Sequence, residues 1–379
     1  MDRRLIRSIT LENVLSFGGS VTVPLGDLNV LVGPNGSGKT NLLDTVGLLR
    51  ACPTDVERYM RANGGVHAWV YKDFAPEQLA VTATLGLPAL KAEIAHRLEI
   101  GIDGIRAVVD FERIFPAHSA RSGDFYFLNT THGPIVRSRG VEDQLGPRQL
   151  DPHQSVLSQI RDPNRYPELS GVGDAYRAIR MYRGWTFGRD CILRGPQRAD
   201  LMSSEIQEDF ANLALVLNRL RHQPKMKRHL VEHFRVLSDT FEDFETRVEA
   251  GSLEIVLHEH VEATDEERSW VVSAARLSDG TLRYLALLAI LLDPEPPPLV
   301  CIEEPELGLD ASIVPVIAEL LRQASRRMQI LVTTHSTLLV ESLRDPDSLL
   351  YFERIAGATR VSRGEPTMIK SRSKRRSRP

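Results

Sequence analysis

The sequence predicts an α/β fold, and three stretches carry that expectation. "LNVLVGPNGSGKT" (Leu28 to Thr40) reads as an apolar strand, a glycine-rich loop and the first residues of a helix. "LVCIEEPELGLD" (Leu299 to Asp310) reads as a second apolar strand that ends on two adjacent glutamates. "LALLAILL" (Leu285 to Leu292) is apolar all round, as a fully buried helix is. Strands alternating with buried helices form a sheet covered on its faces.

Taken in order, residues 5–32 alternate as short strands, and a helix is expected from Lys39 to about Arg50. Residues 66–140 look antiparallel. "VHAWVYK", "LAVTATL", "HRLEIGI", "IRAVVDFERIF", "FYFLNTT" and "PIVRSRG" are β-rich runs split by Gly, Pro and Asp. From about 152 to 248 the pattern turns helical, as in "EDFANLALVLNRLRH" and "KMKRHLVEHFRVLSDTF". Strands return at "LEIVLHE" and "SWVVSAA". A helix–loop–strand–helix–strand–helix series then runs to residue 343, followed by a hairpin of "SLLYFER" and "ATRVSRG". There is no internal repeat and no sustained heptad. The expected organisation is a first lobe over 1–150, an inserted helical subdomain over 151–250, a second lobe over 251–365 and a disordered basic tail over 366–379.

Composition narrows the setting. The chain has 379 residues, room for two or three domains. Its three cysteines, Cys52, Cys191 and Cys301, are odd in number and far apart, which argues against a disulfide framework and for a reducing cytoplasm. The start, "MDRRLIRSIT", has no apolar core of a signal peptide, and the longest aliphatic run is too short to cross a bilayer. The net charge of −3 conceals an asymmetry. "KSRSKRRSRP" at the end holds six basic residues and no acid, leaving 41 basic against 50 acidic residues elsewhere. Such a tail is most often solubilising; contact with nucleic acid is the sharper reading.

The glycine-rich loop has a specific chemistry. "GPNGSGKT" fits Gly, four residues, Gly-Lys-Thr. Gly33, Gly36 and Gly38 let the backbone bend so that its N–H groups point inward, with Asn35 and Ser37 in the same turn and Asn41 just beyond it. The helix N-terminus adds partial positive charge, Lys39 reaches the β- and γ-phosphates of ATP, and the Thr40 hydroxyl ligates Mg²⁺. That cation explains the paired acids. Two neighbouring carboxylates repel and raise each other's pKa unless a cation sits nearby. Glu303 is assigned to Mg²⁺ through water, and Glu304 to orienting and deprotonating the attacking water. Without the phosphate loop, an acidic strand end at the surface would be the plainer reading.

Between these two lies "RLSDGTLRYLALLAILL" (276–292), where Ser-Asp-Gly opens the buried helix. Here the chain resembles an ABC-type ATPase head. "LSDGT" is similar to that family's signature loop, "CIEEPELGLD" to its Walker B and D-loop, and "TTHS" (333–336) to its switch-histidine loop. The gap of 239 residues from Lys39 to Ser278, and "GPNGSGKTNLLD" after "LENVLSF", resemble the SMC/RecF branch rather than transporter ATPases. "SVLSQIRDPNRYPEL" and "QILVTTHS" are similar to a bacterial RecF-like group of AAA ATPases. The resemblance implies a homodimer with ATP sandwiched between one head's phosphate loop and the other's signature. In it Ser278 and Gly280 touch the γ-phosphate, Asp310 faces the partner head and His335 contacts the γ-phosphate. It also implies a Q-loop glutamine, for which Gln144, Gln149, Gln154 and Gln159 are candidates and Gln154 is preferred. Relatives pair with TOPRIM-type nucleases in DNA repair or phage defence; no such domain fits after residue 343. Three departures stand out: Asp279 and Thr281 replace Gly and Gln in the signature, and Glu303 stands where Asp is usual.

Other signals weigh less. "HLVEH" (229–233) and "HEH" (258–260) read as solvated helix and strand faces rather than metal sites, and Phe17 as core rather than an adenine platform. Three uses follow: a DNA-associated ATPase, an ATP-gated scaffold that holds an effector protein without DNA, and, least favoured, a transporter subunit.

Overall fold

The computed structural model describes residues 3–72, 78–118, 123–130, 132–138, 140–146, 149–185, 188–261, 268–343 and 345–364. The chain divides into two compact units, one running to Ile179 and resumed from Asp345, the other spanning Arg180–Arg344. In chain order the first unit carries strands β1 (Ile6–Val14), β2 (Phe17–Pro24) and β3 (Leu28–Val32), then helices α1 (Lys39–Ala51), α2 (Val56–Ala62) and α3 (Val66–Trp69). Strands β4 (Gln78–Leu87), β5 (Ala92–Asp103), β6 (Arg106–Pro116), β7 (Phe127–Leu128), β8 (Ile135–Ser138) and β9 (Val141–Gln144) follow, with helices α4 (Val156–Gln159) and α5 (Pro167–Arg177). The second unit carries β10 (Arg180–Tyr182), β11 (Gln197–Arg198), α6 (Leu213–Arg221), α7 (Pro224–Phe234), β12 (Phe241–Glu249), β13 (Ser252–Val261) and β14 (Arg268–Ser273). It continues through α8 (Asp279–Leu292), β15 (Leu299–Glu303), α9 (Val314–Ser325), β16 (Gln329–Thr334) and α10 (Thr337–Leu343). The hairpin β17 (Leu349–Ile355) and β18 (Ala358–Arg363) returns to the first unit.

In the first unit an antiparallel sheet runs β2-β1-β4-β5-β6-β7-β8-β9. Alternation drives it: Ile9, Leu11, Ala83 and Leu98 are buried while their strand neighbours are half-exposed. Beside it, β3 pairs in parallel with β17. A buried polar cluster ties the sheet to the chain beyond it. Glu112 accepts from His96 Nε2 (2.9 Å), from the Ser155 hydroxyl (2.5 Å) and from Val156 N (2.8 Å), and Tyr176 meets the other imidazole nitrogen at 3.1 Å. Every member has a partner, as a buried polar network requires.

In the second unit β10, β15 and β16 are parallel. β13 pairs antiparallel with β11, β12 and β14. α8 is buried from Leu282 to Leu292, which includes the apolar run Leu285–Leu292 that predicts burial. α9 buries Val314, Ile317, Ala318, Leu320, Leu321 and Ala324, one face of a 3.6-residue repeat.

Two expectations change. "VHAWVYK" is not a strand: Val66 and Trp69, three apart, are both buried on the short helix α3, and Trp69 packs edge-on against Tyr59. Nor is 151–250 a single helical insert. Its first part belongs to the first unit, and "FEDFETRVE" forms β12 because Phe241, Phe244 and Thr246 face inward. The basic tail expected at 366–379 lies outside the described residues.

Candidate nucleotide site

In the first unit, β3 delivers the chain into a glycine loop whose shape is set by close approach. A Cβ on Gly33 would sit 2.2 Å from the Phe352 carbonyl oxygen in β17. Gly38 has φ +106, and a Cβ there would meet the Thr359 hydroxyl of β18 at 2.4 Å. Both positions therefore exclude any larger residue. A directed chain of hydrogen bonds braces the loop: Asn41 Nδ2 donates to Ser16 Oγ (2.6 Å), Ser16 Oγ lies 2.6 Å from Thr359 Oγ1, and Thr359 donates to the Ser37 carbonyl (2.8 Å). Asn41 is thus a brace for the loop in this structure. Lys39 is buried, and its Nζ donates to the carbonyls of Gly33 (2.7 Å) and Pro34 (3.0 Å), folding the ammonium over the loop. The Ser37 hydroxyl is buried with no hydrogen-bond partner among the described residues. Asn35, Gly36 and Thr40 are exposed. A buried cation, an unsatisfied hydroxyl and a helix N-terminus around a glycine-shaped turn fit a polyphosphate with its Mg²⁺.

Gln154 is placed elsewhere. Its amide accepts from Val56 N (3.2 Å) and donates to Asp55 (2.9 Å), the residue that caps α2. Asp55 follows the C-terminal end of α1, and the 13 residues of α1 span about 20 Å from Lys39. The structure therefore differs from the Q-loop role expected of Gln154. Gln159 is also engaged locally, with the carbonyls of Asp151 and Gln154.

In the second unit, β15 ends on Glu303, whose carboxylate lies 3.3 Å from Arg183 Nε and whose carbonyl accepts from the Trp185 indole (2.7 Å). The chain then turns sharply. Glu304 has φ +46, the left-handed region that non-glycine residues rarely occupy. Its amide donates to the Thr333 carbonyl at 3.0 Å, and its carboxylate faces His335 Nε2 at 3.4 Å. Glu306 accepts from the Thr334 hydroxyl (2.5 Å), and its other carboxylate oxygen is buried without a hydrogen-bond partner among the described residues. Asp310 accepts from the Ser312 hydroxyl and amide, which hold its carboxyl below the usual range. Glu303, Glu304, Glu306 and His335 thus gather at the ends of β15 and β16.

Ser278 caps α8, its hydroxyl accepting from Thr281 N at 3.0 Å. Thr281 adds its own hydroxyl at 2.7 Å from Ser278 Oγ. A Cβ on Gly280 would lie 2.9 Å from the Gly308 carbonyl, so the signature glycine also makes room for the turn after Glu306. The unusual Asp279 is pinned by Arg194 and accepts from Gly188 N (3.2 Å). Sequence reasoning did not single out Arg183, Trp185, Arg194, Arg283, Ser16 or Thr359. Only Arg283 carried a signal, as the lone charge in an otherwise apolar run, "LRYLALLAILL".

The glycine-shaped loop after β3, the acid-tipped strand β15, the serine-capped helix α8 and the histidine after β16 resemble the parts of an ABC-type P-loop ATPase head. The whole-chain fold agrees. The SMC head bound to the C-winged helix domain of ScpA matches with TM-score 0.59 and 17% identity over 94% of this chain and 97% of that one. The Smc head with an extended coiled coil, bound to the C-terminal domain of ScpA from Pyrococcus furiosus, matches with TM-score 0.58 and 15% identity over 94% and 96%. The chain belongs to the AAA_21 family, described as "AAA domain, putative AbiEii toxin, Type IV TA system", whose model matches residues 28–168 and 189–341. Among curated proteins, none matches the chain significantly.

Proposed function

We propose that this protein binds Mg·ATP and hydrolyses it, and that two copies close around the nucleotide. The observation that carries the reading is Glu304, held in a left-handed turn with its carboxylate 3.4 Å from His335. Backbone strain of this kind persists where surrounding structure enforces it and is common at reactive sites. In this reading the loop N–H groups and Lys39 bind the phosphates. Thr40, and Glu303 through water, would hold Mg²⁺, which would supply charge neutralisation at the γ-phosphoryl oxygens. Glu304 takes a proton from water as the water oxygen bonds to the γ-phosphorus and the bond to ADP breaks. His335 steadies the γ-phosphate. Ser278 and Gly280 of the partner copy complete the site, with Asp310 at the junction.

The closed dimer acts on DNA or a nuclease partner, TOPRIM-type in chemistry, in repair or phage defence inside the cytoplasm. That finer assignment rests on the family resemblance and on the basic tail. A second reading, an ATP-gated scaffold for an effector protein, is favoured by the ScpA domains carried by the similar SMC heads. Among the described residues no helix is long and apolar enough to cross a membrane. The test is phosphate release with Mg·ATP, with and without double-stranded, single-stranded and nicked DNA. Stimulation by DNA supports the first reading; turnover indifferent to DNA supports the scaffold. No turnover in either condition removes hydrolysis from both.

A further inference from the structure

Arg283 is the only charged side chain between Leu282 and Leu292, and it is 6% exposed. A buried guanidinium is retained against its desolvation cost only where specific partners hold it. Its Nη1 donates to the Glu304 carbonyl at 3.3 Å, and its guanidinium lies 5.0 Å from the centre of the Trp185 ring. Phe210 also stacks on that ring, at 5.1 Å. Trp185, fixed in this way, donates its indole N–H to the Glu303 carbonyl at 2.7 Å. One stacked pair therefore holds both main-chain carbonyls of the two adjacent glutamates. Nothing in the sequence "EEPE" favours a left-handed residue at its second position. Glu304 keeps φ +46 because its amide is tied to Thr333 and its carbonyl to Arg283. Burial lowers the Arg283 pKa, opposed by the charges of Glu306, Glu304 and Asp279, so the cation is set among the acids of this corner.

We propose that Arg283, stacked on Trp185, is the positioning residue that fixes Glu304, and that it couples Glu304 to the signature end of α8. The coupling follows from placement. Ser278 caps α8, and Arg283 lies five residues further along the same helix. A displacement of the α8 N-terminus is thereby passed to the Glu304 carbonyl through one rigid element. The proposal rests on the ATPase reading for its catalytic consequence, but the clamp itself is a property of the fold.

Three variants of the full chain test it: Arg283→Met, Arg283→Lys and Trp185→Phe. Hydrogen exchange is measured without nucleotide. Arg283→Met should raise exchange of the Glu304 amide and the 303–310 segment about tenfold or more, while α9 and the phosphate loop keep their protection. Turnover should fall roughly 10–100-fold, the cost of a misplaced catalytic group. Affinity for a non-hydrolysable ATP analogue should stay within about threefold, because the analogue is bound through the phosphate loop. Arg283→Lys, which can reach the carbonyl but cannot stack, should recover part of both losses. Unchanged exchange in 303–310 would overturn the proposal, as would uniform loosening of the whole second unit. If Arg283→Met does not fold, Trp185→Phe keeps an aromatic face for the guanidinium but loses the indole N–H and part of the ring, and it should still raise exchange at this turn. If the wild-type chain hydrolyses no ATP, the ATPase reading falls, and the exchange result alone decides whether the clamp exists.

Discussion

Glu304 sets a clear expectation for a single side chain. Glu304→Gln keeps the shape and removes the charge that polarises water in the proposed mechanism. Turnover should drop about 10²–10⁴-fold while nucleotide binding persists, and the variant should accumulate as an ATP-locked dimer. Phosphate release and sedimentation with Mg·ATP measure both. Wild-type turnover would move the base elsewhere, and Glu306, with one buried carboxylate oxygen unsatisfied among the described residues, is the next to test. Lys39→Ala should abolish ATP binding and leave the fold intact. The ammonium donates to the loop carbonyls of Gly33 and Pro34 rather than into the apolar core. Retained affinity for a fluorescent nucleotide would remove the phosphate-loop assignment.

At the scale of elements, the start of α8 and the α2–β6 junction each carry a test. Ser278→Arg removes a helix cap, worth about 1 kcal/mol, and places a bulky cation where the proposed second head would dock. Nucleotide affinity of the monomer should survive and ATP-dependent dimerisation should be abolished. Loss of both, or of neither, would show that this loop is not an intermolecular contact. At the other junction, Arg106 of β6 grips Glu57 of α2 with two bonds of 2.8 and 2.9 Å, and Arg61 adds a third. The Arg106 hydrogen bonds and then the Arg61 contact hold the Glu57 carboxyl down from 4.5 to about 2. A depressed carboxylate stabilises the fold fully above its unfolded pKa and loses that contribution as pH falls through the folded value. Glu57→Gln should therefore flatten the dependence of stability on pH between 4.5 and 2 and leave its slope near neutrality unchanged, as read by denaturant titration.

For the whole molecule, the basic tail and the acidic remainder make opposite contributions to the binding of any polyanion. Deleting residues 367–379 should leave ATPase activity unchanged. If the tail meets DNA, affinity should fall, and the slope of log affinity against log salt should shrink by about 0.9 for each phosphate that the shortened chain leaves unneutralised. An unchanged slope would make the tail inert in DNA binding. The likeness to SMC heads extends over 94% of the chain at 15–17% identity, so it speaks for the fold and leaves the partner to experiment.

By itself the sequence determined the parts whose physics is local. A glycine loop between an apolar strand and a helix makes a phosphate cradle through its own backbone, a serine before an apolar helix caps it, and an all-apolar run is buried wherever it packs. α1, α8, β15 and β16, with Lys39, Ser278, Glu303, Glu304 and His335 at their ends, were legible for that reason. Tertiary structure decided what depends on residues distant in sequence. The Phe352 carbonyl and the Thr359 hydroxyl, more than 300 residues away, are what forbid a side chain at Gly33 and Gly38. Asp55, 99 positions from Gln154, holds that glutamine at the far end of α1. Trp185 and Arg283 reach the Glu303–Glu304 carbonyls from 118 and 21 residues away. No periodicity or motif encodes such contacts between distant residues, and those made to main-chain carbonyls place no demand on the identity of the residue that accepts them.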